Sequence, residues 1–161
     1  MININNKQTA PIDLTQLKAD AETILKALDY SNFDLGILIA NLKDMHEYNL
    51  NYRQQDKPTD ILSFPYHPDL KAGERIVTDI NDDKDLGDII LCPQYILDDL
   101  PRWEINYQKR LQILLVHGIC HLLGYDHIED ADYEIMKQQE ELLLAVLEQA
   151  NQRTCLEQEH I

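Results

Sequence analysis

Apolar residues recur along this chain with two periods, and each change of period marks an element. Ile2 and Ile4 alternate with Asn, the two-residue rhythm of a strand. From Leu14 the rhythm lengthens: Leu14, Leu17, Ala21, Ile24, Leu25 and Leu28 fall on one face of a helix, with Asp13 and Gln16 spaced as a capping pair. Residues 33–40 (FDLGILIA) predict a second strand, followed by a short polar helix through His46. Residues 60–64 (DILSF) predict a third strand ended by Pro65, and residues 86–92 (LGDIILC) a fourth ended by Pro93. The intervening residues 67–85, rich in Asp, Asn and Lys, predict a mobile loop.

Over residues 104–123 the apolar positions close up into a helix apolar nearly all round, which belongs in a core. Gly124 supplies its stop, since glycine takes the left-handed cap conformation without strain. A last helix is predicted over residues 130–150, with Tyr133, Met136, Leu143 and Leu147 on one face. Its acidic first turn (Asp130, Asp132, Glu134) suits the positive end of the helix dipole. The predicted fold is α+β, an α/β layer structure. A single domain over residues 1–150 holds a mixed sheet of about four strands packed with helices. Residues 151–161 are expected to form a frayed polar tail.

Composition narrows the setting. A chain of 161 residues with 44% hydrophobic and 27% charged positions suits one buried core. No apolar run approaches the roughly 18–20 residues of a membrane helix, and the first residues lack the pattern of a signal peptide. The expectation is a cytoplasmic protein with no membrane partner. Cys92, Cys120 and Cys155 form no CxxC pair and read as reduced thiols. The net charge of −15, from 14 basic and 29 acidic residues, argues against a broad nucleic-acid surface, and no DNA binding is expected. Residues 102–110 are locally positive.

The chemistry concentrates in residues 117–127, His-Gly-Ile-Cys-His-Leu-Leu-Gly-Tyr-Asp-His. His117 and His121 are four apart and stack on one helical face. Gly124 turns the chain so that His127 can return as a third ligand. Three neutral nitrogens with a fourth position open is the arrangement of a catalytic zinc, one ion per chain, on a buried core helix and the turn after it. Cys120 reads as a small apolar filler; His46, His67 and His160 read as surface residues. The spacing matches the zinc-protease motif HExxHxxGxxH at each histidine and at the glycine, but Gly118 stands where that motif keeps its glutamate base. A metalloprotease is thereby disfavoured.

These residues resemble the YbeY family of endoribonucleases. Residues 117–127 are similar to the family's HGxLHLxGYDH, with Cys120 where leucine is usual. Asn49, Tyr52, Arg53, Asp56, Pro58, Thr59, Asp60, Ser63, Phe64 and Pro65 follow its NxxYRxxDxPTDVLSFP, and Leu86-Gly87-Asp88-Ile89 its LGDI strand. The resemblance implies a zinc-dependent, single-strand-specific endoribonuclease in maturation of the small-subunit ribosomal RNA 3′ end and ribosome quality control. Its implied partners are single-stranded precursor RNA, the small ribosomal subunit and assembly factors. It implies a catalytic role for Arg53, whose guanidinium suits a phosphodiester; on the residues alone Arg53 reads as the partner of Asp56 in a surface salt bridge, and the resemblance reverses that reading. Asp88 and Asp126 read as packing groups or as groups behind the ligands, and Thr59 and Ser63 as hydrogen-bonders of phosphate or of their own strand. The alternative is a ribosome-assembly factor with a structural zinc and little catalysis, which the missing glutamate keeps open.

Overall fold

The core forms where the two apolar rhythms meet. In the computed structural model, which describes residues 1–159, four strands make one mixed sheet: β1 (Ile2–Asn6), β2 (Asp34–Ile39), β3 (Ile61–Pro65) and β4 (Asp85–Leu91). The order across the sheet is β1-β2-β4-β3. The first three of these neighbours run parallel, and β3 is antiparallel to β4. Five helices surround it: α1 (Leu14–Ala27), α2 (Leu42–Arg53), α3 (Pro93–Asp99), α4 (Tyr107–Leu122) and α5 (Asp130–Glu159). The expected α+β layer structure is the one observed. Among the described residues, no helix is long and apolar enough to cross a membrane.

Strand residues alternate between two cores because successive side chains leave a strand on opposite faces. Ile37, Ile39, Ile89 and Leu91 face α1, α4 and α5, joining Ile24, Leu115, Ile119 and Leu143 in the larger core. Leu62 and Ile90 face the other way, meeting Met45 of α2 and Cys92 in a smaller one. The helix that carries the histidines therefore lies directly on the sheet, against β3 and β4.

Several elements differ from expectation. Asp13 caps α1 by accepting from the Gln16 N–H at 3.0 Å, but the Gln16 amide donates onward to Asp20 at 2.9 Å instead of returning to the cap. α2 does not stop near His46; no Gly or Pro interrupts it, and it runs to Arg53, ending on Gln54 in the left-handed region (φ 56°). Pro93, expected only to end a strand, also begins α3, because its fixed φ and missing N–H suit the first helical position. Pro65 is the last residue of β3 and not a residue beyond it; edge strands tolerate proline.

The segment 67–85 is irregular but pinned, not a free loop. Ile76 is buried and its N–H donates to the Tyr30 hydroxyl at 3.0 Å. Arg75 donates to the Leu28 carbonyl at 2.8 Å and to that of Asp29, with its guanidinium 4.3 Å over the Tyr30 ring. Asn81–Asp83 form one 3-10 turn. α5 likewise continues past Ala150 to Glu159, since nothing in residues 151–159 breaks a helix. Tyr133 is 49% exposed, unlike Met136, Leu143 and Leu147, because residues 127–135 all stand clear of the core.

Candidate metal centre and its cleft

α4 begins on Asn106, whose side chain accepts from the Lys109 N–H at 2.8 Å, and runs under the sheet to Leu122. It ends in a Schellman turn: the Gly124 N–H donates to the His121 carbonyl and the Tyr125 N–H to that of Cys120, both at 3.1 Å. Gly124 has φ +88°, and a Cβ there would collide with the Leu70 carbonyl of the pinned segment. Only glycine satisfies both conditions. The reversed chain brings His127 back, and one ring nitrogen from each of His117, His121 and His127 lies within 4.8 Å of the other two.

Hydrogen bonding fixes the tautomers. His121 Nδ1 lies 2.9 Å from the Tyr125 carbonyl, which can only accept, so Nδ1 carries the proton. His117 Nδ1 lies 3.0 Å from Glu140 Oε2, and a carboxylate likewise accepts. When both rings are neutral, both Nε2 atoms present lone pairs, and these face each other at 3.0 Å. Burial first, and the neighbouring His117 second, push the His121 pKa down to about 4, so near neutrality the ring holds its lone pair. Two lone pairs at that separation repel unless a cation lies between them. Ligands about 2.0–2.1 Å from a tetrahedral ion stand roughly 3.4 Å apart. The donor set thus fits a metal ion, with each Nδ1 anchored in the way that orients metal-binding imidazoles.

Glu140 was not among the sequence candidates. A signal was present: Met136, Glu140, Leu143 and Leu147 share one face of α5, and Glu140 is the only polar member of that stripe. Gly118, one residue after His117, faces the sheet and not the histidines. A Cβ there would stand 2.7 Å from Ile61 Cδ1, 3.0 Å from Ile89 Cδ1 and 3.3 Å from Ser63 Oγ. A glutamate at this position would enter the core, so the missing base is a consequence of how closely α4 lies on β3 and β4.

An open cleft of about 1060 Å³ leads to the histidines. Its walls are the end of α2 (Tyr52, Arg53), β3, residues 68–72, residues 124–127, and Asp132 and Ile135 of α5. Arg53 is exposed and makes no ion pair among the described residues. Asp56, its potential partner, bonds His46 Nε2 at 2.7 Å instead. Thr59 donates to Asp60, whose carboxylate also accepts from the Ile61 N–H and pairs with buried Arg110 at 3.3 Å; this pair frames the start of β3. Asp126 accepts from the Ile128 N–H at 3.4 Å in the turn. Asp88 lies on the opposite face of the sheet, away from the cleft. Cys120 is fully buried, and burial raises its thiol pKa to about 12. His67 bonds the Asp83 carbonyl at 2.8 Å; His160 lies outside the described residues.

Known proteins resemble this chain over most of its length. The family model described as Endoribonuclease YbeY matches residues 3–148. A human protein named Endoribonuclease YbeY is 39% identical over 150 residues, covering 93% of this chain and 87% of its own. The protein of that name from Acinetobacter baumannii (strain ATCC 17978) is 39% identical over 138 residues, 84% of each chain. That of Legionella pneumophila (strain Corby) is 32% identical over 148 residues, 89% of each. The solution structure of TM1509 from Thermotoga maritima shares the fold, with a TM-score of 0.64 at 24% identity, covering 96% of this chain and 93% of that one. With the match running through the sheet, the turn at Gly124 and all three histidines, this chain belongs to the YbeY endoribonuclease family.

Proposed function

We propose that this protein is a zinc-dependent endoribonuclease specific for single strands. In this reading it acts on the 3′ end of small-subunit ribosomal RNA precursors and in ribosome quality control, in the cytoplasm, with the small subunit and assembly factors as partners. The observation that carries the reading is the pair of Nε2 lone pairs facing at 3.0 Å on the wall of a cleft that Arg53 also lines. A bound zinc supplies a Lewis acid that activates water or polarises a phosphate oxygen. Glu140 and the Tyr125 carbonyl hold the two rings of α4 in the tautomer that offers Nε2. Arg53, without a competing carboxylate among the described residues, grips the phosphodiester and stabilises charge as phosphorus gains it.

With Gly118 against the sheet, proton removal does not follow the metalloprotease scheme, which separates this site from peptide hydrolysis. The assembly-factor alternative requires a closed structural zinc; three ligands facing an open cleft count against it. The decisive experiment is single-turnover cleavage of single-stranded and duplex RNA by zinc-loaded protein. Arg53→Ala should lower the rate on single strands about 10²- to 10³-fold while RNA binding falls far less, and His117→Ala should abolish cleavage. Wild-type protein that retains zinc yet cleaves no RNA would leave the assembly-factor reading in its place.

A further inference from the structure

The sheet face away from α4 is only partly covered. α2 lies over its β3 side, while at the β1 side a groove of about 540 Å³ stays open. Strand register sets its floor. Asn3 pairs with Gly36, Gly36 with Asp88, and Asp88 with Phe64, so these four form one row across all four strands. At neighbouring strand spacings of about 4.8 Å the row spans about 14 Å. Gly36 has no side chain in the middle of the floor, and the Asp88 carboxylate fills the space above it. At the β1 end Asn3 and Asn5 are exposed, and their side chains have no hydrogen-bond partner among the described residues. Lys7 closes that end.

The β3 end is aromatic and continuous with the metal cleft. Tyr52 is 61% exposed. Its ring stacks on Tyr48 with centroids 6.3 Å apart and meets Phe64 edge-on at 5.1 Å. Tyr52 and Phe64 line both the groove and the cleft. A chain of nucleotides leaving the cleft at Arg53 therefore reaches an exposed ring at once, and then a row of amides and a carboxylate.

We propose that this groove is an extended subsite that binds single-stranded RNA with its bases turned toward the sheet; the proposal rests on the endoribonuclease reading. The exposed Tyr52 ring beside Phe64 gives a base a surface to stack on, and every base offers a face to stack. The carboxylate of Asp88 accepts from exocyclic amino groups, and the Asn3 and Asn5 amides both donate and accept, so the floor is built for base edges. Phosphates are directed outward, which is the orientation a chain of net charge −15 requires. An A-form duplex has its bases paired and stacked and offers no such faces, so the subsite also selects for single strands.

The test uses the full chain loaded with zinc and two RNA oligonucleotides: a short one filling the cleft, and one longer by roughly three nucleotides, made with intact bases or with abasic residues in the extension. Affinity and single-turnover cleavage are measured for wild type and for the double variant Asn3→Asp, Asn5→Asp. Both substitutions lie on exposed edge-strand positions, and an unchanged unfolding midpoint verifies the fold. The intact extension should tighten binding to wild type about tenfold or more. The gain should disappear with the abasic extension and fall severalfold in the double variant, while cleavage of the short RNA stays the same in both proteins. Equal affinity for intact and abasic extensions, or full affinity in the double variant, overturns the subsite. Base-dependent binding by a wild-type protein that cleaves neither RNA would sink the endoribonuclease reading and leave the subsite standing.

Discussion

Glu140 shares its face of α5 with Met136, Leu143 and Leu147, and its carboxylate meets a single ring nitrogen, His117 Nδ1. Removing it should loosen the ring and its tautomer without touching the ion. Glu140→Ala is expected to weaken zinc affinity about 10- to 100-fold, with Glu140→Asp recovering part of the loss; chelator competition measures both, and an unaltered affinity in the alanine variant would make the contact incidental. His121 gives a second expectation. Its pKa is pushed down from 6.5 to about 4 by burial, so in this window the unfolded chain takes a proton that the folded one refuses. The metal-free protein should then be fully stabilised by this group above about pH 6.5 and lose that stability as the pH falls toward 4, by at most about 1.4 kcal/mol per pH unit. Urea denaturation of chelator-treated protein across this range, compared with His121→Asn, checks it: the variant's profile should be flatter, and identical profiles would show that the ring carries no such linkage. The three histidines could be found in the sequence because their convergence is local, one helical turn and one glycine turn. Glu140 is 23 residues from its partner, and only the packing of α5 on α4 brings the two together.

At the scale of elements, the turn after α4 is the part whose chemistry is set by backbone conformation. Gly124→Val meets two obstacles, a φ of +88° and the Leu70 carbonyl. It should weaken zinc binding by at least tenfold and lower stability by about 1–3 kcal/mol, although no ligand is altered. Calorimetric titration together with thermal melting reads both, and wild-type values for both would refute this account of the turn. The same scale shows why element type was easier to read than element extent. The strands carry alternating apolar residues on a sheet with a core on each face, so their pattern is clear. α2 carries few apolar residues, with Met45 and Asn49 its only buried ones, so its second half gave no periodic signal. α3 was hidden because Pro93 ends one element and begins another. The segment 67–85 has a polar composition, and its order comes from Arg75 and Ile76 reaching residues more than forty positions away.

For the whole molecule, charge decides how RNA can be held. With 29 acidic residues against 14 basic ones, side chains can neutralise only a few phosphates. Each neutralised phosphate contributes roughly −0.7 to the log–log salt slope for a single strand, so the slope of RNA affinity against salt should be shallow, about −1 to −3. Titration of oligonucleotide binding over a salt series measures it, and a slope steeper than about −5 would reveal a basic surface that these residues do not form. Arg53 belongs to this scale as well. Nothing in its local sequence separates a phosphate-binding arginine from a partner of Asp56; the resemblance pointed to the first, and the fold gives Asp56 to His46 and turns Arg53 toward the cleft.

The close approach of the Leu70 carbonyl to Gly124 links the segment before β4 to the turn that returns His127. Any free energy that couples ion binding at His127 to the packing of residues 70–73 acts equally in both directions, because linkage is reciprocal. Farther along the same segment, Arg75 and Ile76 are fastened to the end of α1 and to Tyr30. Loosening residues 70–73 therefore weakens the turn that returns His127, although no ligand is altered.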